Sequence, residues 1–179
     1  NLFHDGPDSV DHVLLNSPVL SQRKLHQLLA LPRFAARYRY IDLYFDAESS
    51  LERALERICA EAEAAGRAGI ELLILSDRRP RRDTAAVHAL LATGAVHQHL
   101  VRTGLRCEVN LIVETGTARD PHHFACLVGF GATAVYPYLA YQTLHALGRR
   151  GILGGKASGE PQQIGRSYRR GVKKGLLKI

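Results

Sequence analysis

The sequence contains no methionine and no tryptophan, only three cysteines, and no long apolar run. Each shortage excludes something. A membrane helix needs about 18–20 consecutive apolar residues, and no stretch approaches that. The N-terminal region carries charges together with Ser17 and Pro18 in place of a basic stretch followed by an apolar one, so no secretory signal is predicted. Cys59, Cys107 and Cys126 are odd in number and lack a CxxC pair. That argues against a disulfide framework and for a reducing compartment, and the expected location is the cytoplasm. All three stand in apolar runs, where burial is expected to leave them inert. No phosphate-binding GxxxxGK[ST] loop occurs. Gly129-Phe130-Gly131 is followed by Ala134 where a dinucleotide fingerprint has its third glycine, and it comes after a predicted helix instead of a strand. It reads as a left-handed helix exit. No Ser/His/Asp or Cys/His nucleophile arrangement is visible. The missing initiator methionine leads us to expect a piece of something longer.

What is present fits an ordinary globular domain. The 179 residues are 46% hydrophobic and 23% charged, enough for one domain, or one domain and part of another, with a sizeable core. The net charge of +7 suggests nucleic-acid binding until it is located. Residues 164–179 hold six of the 24 basic residues (Arg166, Arg169, Arg170, Lys173, Lys174 and Lys178) and no acidic one, so the rest is close to neutral. A nucleic-acid-binding domain carries a basic stripe across its fold. A basic tail reads instead as a solvated segment or a fragment of an interface, and no specific nucleic-acid partner is expected.

The middle of the chain alternates strand and helix signals. Asp5-Gly6-Pro7 is turn chemistry. Ser21 caps a short helix with Leu25, Leu28 and Leu29 on one face, ending before Pro32. Tyr40 to Phe45 reads as a strand. Ser49 and Glu52 form a capping box, opening a helix with Leu51, Leu55, Ile58, Cys59, Ala62 and Ala65 at helical period and ending at Gly66 and Gly69. Glu71 to Ser76 is a second strand, and its four consecutive large apolar residues demand burial on both faces, as in a parallel sheet covered by helices. Asp83 is expected to cap a helix over 84–102, with Gly94 inside it permitting close packing and Gly104 ending it. Val109 to Glu114 is a third strand. Asp120-Pro121 is a cap followed by a proline at the first helical position, opening a short helix to Gly129. Ala134 to Leu139 is a fourth strand, which Pro137 places at an edge or ends, and Leu139 to Leu147 is helical. Residues 148–165, rich in glycine and glutamine, read as a loop, and Ser167 to Leu177 can form a helix. Four βα units in a row predict an α/β fold with an open, mostly parallel sheet of about four strands and flanking helices. The boundaries expected are a lead-in at 1–39, the βα-repeat domain at 40–150, a linker at 151–163 and a truncated further segment at 164–179.

Ligand sites in such sheets lie beyond the carboxyl ends of the strands. Ser76-Asp77-Arg78 follows the second strand, and Glu114-Thr115-Gly116 the third, with Asp120, His122 and His123 opening the next helix. Glu114 as base with His122 or His123 as proton donor is one conceivable pairing. The competing structural reading is stronger. Polar residues at strand ends cap helices, and Glu114, ending a buried strand, needs a partner such as Arg78 or a histidine. His97-Gln98-His99 and His122-His123 are poor metal sites, because neighbours at i,i+1 and i,i+2 on a helix face different ways and no cysteine or carboxylate stands at ligand spacing beside them.

The runs Leu72–Arg78, Leu91–His97, Ile112–Thr115, Ala118–Ala125 and Gly129–Tyr141 together resemble, in order and spacing, the central domain of the glutamate synthase large subunit. Leu14–Leu20 resembles that domain's opening segment, Tyr40–Phe45 its first strand, and Ser167–Ile179 its lead into the flavin domain. The resemblance implies a parent enzyme that makes two glutamates from glutamine, 2-oxoglutarate and reductant. An amino-terminal cysteine domain there releases ammonia, and a tunnel carries it to a barrel bearing FMN and a 3Fe–4S cluster, reduced through a small NADPH-oxidising subunit or by ferredoxin. The central domain would link the glutaminase and FMN domains and help wall the tunnel, with no catalytic, cofactor or metal residue of its own. Cys59, Cys107 and Cys126 are not carried over as cluster ligands, and the fragment is expected to be inactive alone. Ser76, Asp77, Arg78, Glu114, His122 and His123 become interface or tunnel candidates. Gln98 stands where many members have a third histidine, and residues 151–163 depart from the family in their glycine and polar content. The alternative reading is a stand-alone α/β binding module with a basic tail.

Overall fold

Runs of apolar residues separated by helix-forming stretches pair in the order of the chain. In the computed structural model, which describes residues 13–153 and 161–179, β1 (Tyr38–Asp42), β3 (Leu72–Ser76), β5 (Asn110–Glu114) and β6 (Ala134–Tyr136) form one parallel four-stranded sheet in that spatial order. β2 (Tyr44–Asp46) and β4 (Thr84–Ala86) form a separate antiparallel ribbon. The helices are α1 (Gln22–Leu29), α2 (Leu51–Arg67), α3 (Ala89–Arg102), α4 (Pro121–Gly129), α5 (Tyr138–Arg149) and α6 (Pro161–Leu176). The α/β sheet expected from the sequence is therefore present. The turn at Asp5-Gly6-Pro7 lies outside the described residues.

Because the spatial order follows the chain order without reversal, crossovers of one hand place their helices on one face. Side chains alternate along each strand. Leu73, Leu75, Leu111, Val113 and Val135 join Ile58 and Ala62 of α2, Val96 and Leu100 of α3, and Phe124 of α4 in one core. Leu72, Ile74, Ile112 and Ala134 face the other way and are roofed by Leu25, Leu28 and Leu29 of α1, Phe34, and Tyr141 of α5. The unbroken apolar run of β3 is thus buried on both faces, each fully buried Leu or Ile contributing about 1.5–3 kcal/mol. Val19 adds a parallel bridge to Val135, with Leu20 N–H donating to Val135 O at 2.8 Å and Val135 N–H to Pro18 O at 2.7 Å. The lead-in segment thereby occupies the free edge of β6.

Several predicted details hold. Ser21 caps α1. Asp120 accepts from the His122 and His123 amides with Pro121 at the start of α4. Gly69 and Gly104 take positive φ after α2 and α3. A Cβ on Gly94 would lie 2.9 Å from the Phe130 ring, which explains the glycine inside α3. β6 ends at Tyr136, and Pro137 precedes α5.

Others are corrected. The strand expected over 40–45 divides at Leu43, whose buried side chain turns the chain from the main sheet into the ribbon. The cap of α2 is Ser50, which accepts from Arg53 N–H, and not Ser49; α2 runs through Gly66, whose missing Cβ admits Val109 and Leu105. Asp83 caps no helix. It has φ of +57°, Thr84–Ala86 pairs with β2, and α3 begins only at Ala89, capped by the His88 ring. Cys107 is exposed, and Cys59 and Cys126 are only partly covered, so burial does not protect all three. The loop expected over 151–163 gives way to helix at Pro161. α6 also begins before the predicted Ser167 and is docked. Ile164 and Val172 are buried, the missing Cβ atoms of Gly148 and Gly175 make room for Ile164 and Pro121, and the Tyr168 hydroxyl donates to Arg119 O at 2.8 Å. Its basic residues Arg166, Arg170, Lys173 and Lys174 stay on the solvent side.

Candidate functional site

The parallel register brings Ser76, Glu114 and Tyr136 into one row at the carboxyl ends of β3, β5 and β6, one pleat above Ile74, Ile112 and Ala134. Glu114 is only 3% exposed, and a carboxylate so placed needs donors. It has two. Ser76 Oγ donates to Oε2 at 2.6 Å, and Arg78 Nη1 donates to Oε1 at 3.0 Å. The Arg78 guanidinium lies 5.8 Å from the Tyr136 ring centre and 5.6 Å from that of Tyr138, so it is held between a carboxylate and two aromatic faces. Burial works against the Arg78 charge, but the Glu114 hydrogen bond and the neighbouring Tyr136 outweigh it and raise its pKa. Burial, with Asp77 nearby, pushes the Tyr138 phenol well above its usual range, and burial followed by Glu114 raises that of Tyr40.

Asp77 serves the loop after β5. Its Oδ1 accepts from Gly116 N–H at 2.9 Å and its Oδ2 from Thr115 Oγ1 at 2.5 Å, while its carbonyl accepts from Tyr138 Oη at 3.1 Å. Asp77 and Arg78 therefore bind different partners, as their adjacent positions require. Above this row opens a cleft of about 620 Å³ lined by Gln22 and His26 of α1 with Tyr40, Asp42, Arg78 and Glu114. Arg81 pairs with Asp42 at its rim.

Of the candidate residues, the structure joins Ser76, Arg78 and Glu114 in one network and sets Asp77 beside it. His122 and His123 are engaged elsewhere. His123 Nδ1 lies 3.3 Å from Asp120 Oδ2 and accepts from Arg119 N–H, and His122 Nε2 is 3.6 Å from Cys126 Sγ. Glu114 has neither histidine as a partner, so the acid–base pair is not assembled. His97 and His99 diverge as well. Arg106 Nε donates to His97 Nδ1 at 2.9 Å, and His99 Nε2 meets Glu63 Oε2 at 2.7 Å. Arg106 also donates to Val109 O at 2.6 Å and to Gly131 O at 2.8 Å, clamping the amino ends of β5 and β6; burial lowers its pKa.

The three cysteines do not fit a cluster, and the Gly129–Gly131 turn does not fit a flavin phosphate. Cys59, Cys107 and Cys126 lie on α2, after α3 and on α4, and among the described residues no three His, Cys, Asp or Glu side chains converge on one point. The turn at Gly131 is filled by the His97 ring, leaving no cradle for a phosphate. The sequence reading missed Tyr40 and Asp42 in the cleft, Arg81 paired with Asp42, and Tyr136 and Tyr138 beside Arg78. Their alternation and register were the available signal, and only pairing partners turn that into a row.

The sequence family described as "Glutamate synthase central domain" matches residues 1–179. The chain is 37% identical over 189 residues to "Ferredoxin-dependent glutamate synthase 2, chloroplastic" of Arabidopsis thaliana, covering 100% of this chain and 12% of that protein. It is 38% identical over 179 residues to "Glutamate synthase [NADPH] large chain" of Bacillus subtilis, covering 100% and 11%. With "Glutamate synthase [NADH]" of Saccharomyces cerevisiae the figures are 34% over 190 residues, 100% and 9%. The chain thus spans only about a tenth of these relatives' length.

Proposed function

The chain belongs to the glutamate synthase central domain family, and from that premise we propose that it is the scaffold domain of a glutamate synthase, an oxidoreductase forming two glutamates from glutamine, 2-oxoglutarate and reductant. It links a glutaminase domain to an FMN domain of the same parent chain and helps wall the passage that carries ammonia between them. The observation supporting this reading is the self-contained network at the strand ends. Glu114 is neutralised by Arg78 and bonded by Ser76, Asp77 is spent on Thr115 and Gly116, and both histidines are turned toward α4's own residues. A carboxylate tied in this way positions its neighbours and lines a polar wall.

FMN and the iron–sulfur cluster, with a small NADPH-oxidising subunit or a ferredoxin as electron source, belong in this reading to the rest of the parent, and the fragment alone turns over nothing. The parent works in the cytoplasm; among the described residues no helix is long and apolar enough to cross a membrane. The test is Glu114→Gln in the full-length parent. Glutaminase activity and flavin-dependent glutamate formation from free ammonia, assayed separately, should each stay within about twofold of wild type. The coupling of glutamine hydrolysis to glutamate formation, or the thermal stability, should fall. Loss of the ammonia-dependent reaction in a folded protein would make Glu114 a catalytic residue and overturn the scaffold reading.

A further inference from the structure

A second cleft, of about 690 Å³, adjoins the first and shares Gln22 and His26 with it. It lies between α1, α5 and α6, with Tyr136, Tyr138 and Tyr141 at its base. Its charge differs from that of its neighbour. Around Glu114 cations meet carboxylates: Arg78 pairs with Glu114 and Arg81 with Asp42. The second cleft has Arg23 on the α1 wall and Arg166 and Arg169 on the α6 wall, with the His145 ring on α5, and among the described residues its lining includes no carboxylate. Among the described residues none of these three arginines forms an ion pair; Arg169 reaches only the Tyr141 hydroxyl, at 3.4 Å. Four glutamine side chains (Gln22, Gln27, Gln142 and Gln162) complete the walls with amide donors.

Arg23 and Arg166 are exposed at the mouth of the cleft and Arg169 is half-buried, and planar guanidinium forks match oxyanions in two-point contacts. A hollow of this size is ordinary for a small ligand. We propose that the α1–α5–α6 cleft binds a small multivalent oxyanion, its charged groups held by Arg23, Arg166 and Arg169 and its remaining oxygens by the glutamine amides. Phosphate esters and polycarboxylates share this chemistry. The site is independent of the scaffold reading, since none of the three arginines belongs to the Glu114 network. Such a ligand would cross-link α1 to α6 and thereby stabilise the roof over the sheet.

The test titrates the 179-residue chain with pyrophosphate and, separately, citrate at constant ionic strength, by calorimetry and by the side-chain amide NMR signals of glutamine. Saturable one-to-one binding is expected, with the signals of Gln22, Gln142 and Gln162 moving. The tighter of the two probes assigns the ligand to the phosphate or the carboxylate class. Arg23→Ala/Arg166→Ala should weaken binding by about tenfold or more, because it removes two charge-assisted contacts. Lys173→Ala/Lys174→Ala, which removes the same charge further along α6, should change it less than about twofold. Failure to saturate overturns the proposal, as does an equal loss in the two double variants, which would reduce the binding to the bulk charge of α6. If the arginine variant does not fold, shifts in wild type confined to residues outside the cleft overturn it equally.

Discussion

At the carboxyl ends of the strands Arg78 meets a buried carboxylate, whereas at the amino ends Arg106 meets only neutral acceptors: one imidazole nitrogen and the carbonyls of Val109 and Gly131. The same side chain serves two purposes. Arg106 joins backbone to backbone, and burial without a counter-charge lowers its pKa. Arg78 neutralises a side chain, and its pKa rises because the Glu114 bond overcomes its burial. An arginine bound to carbonyls is a fastener whose loss loosens two strands. An arginine bound to a carboxylate is half of a pair, and its loss leaves the other half stranded.

The largest effect should come from breaking that pair. Arg78→Leu leaves the buried Glu114 carboxyl without its counter-charge, and should cost about 3–5 kcal/mol of stability in urea unfolding. Adding Glu114→Gln should restore most of it. A single variant within about 1 kcal/mol of wild type would erase the contrast between the two ends. Arg106→Met should cost about 2–3 kcal/mol, because the Val109 and Gly131 carbonyls lose their donor. No change at a carboxylate should rescue it, and faster hydrogen exchange should appear in β5 and β6. Ser76→Ala removes one donor to Glu114 and leaves Arg78 in place, for about 1 kcal/mol; a larger loss would mean that the hydroxyl, not the guanidinium, dominates the network.

The smallest effect sharpens the amino end. Burial opposes ionisation of Glu71, but hydrogen bonds from Arg37 and Arg33 outweigh it and hold the carboxyl below its usual range. Its contribution is therefore complete above the unfolded pKa of about 4.3 and is lost as pH falls through the lowered folded value. Glu71→Gln should flatten the acid side of the stability profile by less than about 1 kcal/mol, since water and salt screen the pair.

Local chemistry was legible wherever one residue decides the geometry. Asp120 with Pro121, Gly69, Gly104 and the double-sided burial of β3 could all be read directly. That Glu114 needs a partner was legible too, since a buried carboxylate has to be answered, but Arg78 and a histidine stayed open as that partner until the structure paired it with Arg78. Choices between adjacent residues were not. Ser49 and Ser50 are chemically equal as caps, and only the path of the chain selects Ser50. Asp83 resembles a cap, but the pairing of Thr84–Ala86 with β2 outweighs local propensity there. Charge counting located the basic residues of α6 and missed that the helix is docked through Ile164, Tyr168 and Val172, with Arg169 half-buried against Tyr141. The oxyanion cleft was invisible because its walls are far apart in the chain.

The bridge from Val19 to Val135 imposes an order in time. β1, β3, β5 and β6 can pair as they leave the ribosome, each finding its neighbour already made. Pro18–Leu20 and α1 emerge before all of them; α1 finds Leu72 and Ile74 of β3 first, whereas the β6 partners of Pro18–Leu20, with Ala134, come much later. Pro18–Leu20 can therefore join the sheet only once β6 has formed, by closing the loop from Val19 to Val135. Until then the part of the sheet's apolar face next to β5, including Ile112, stays open to water, in the state where an unfinished chain is most prone to aggregate.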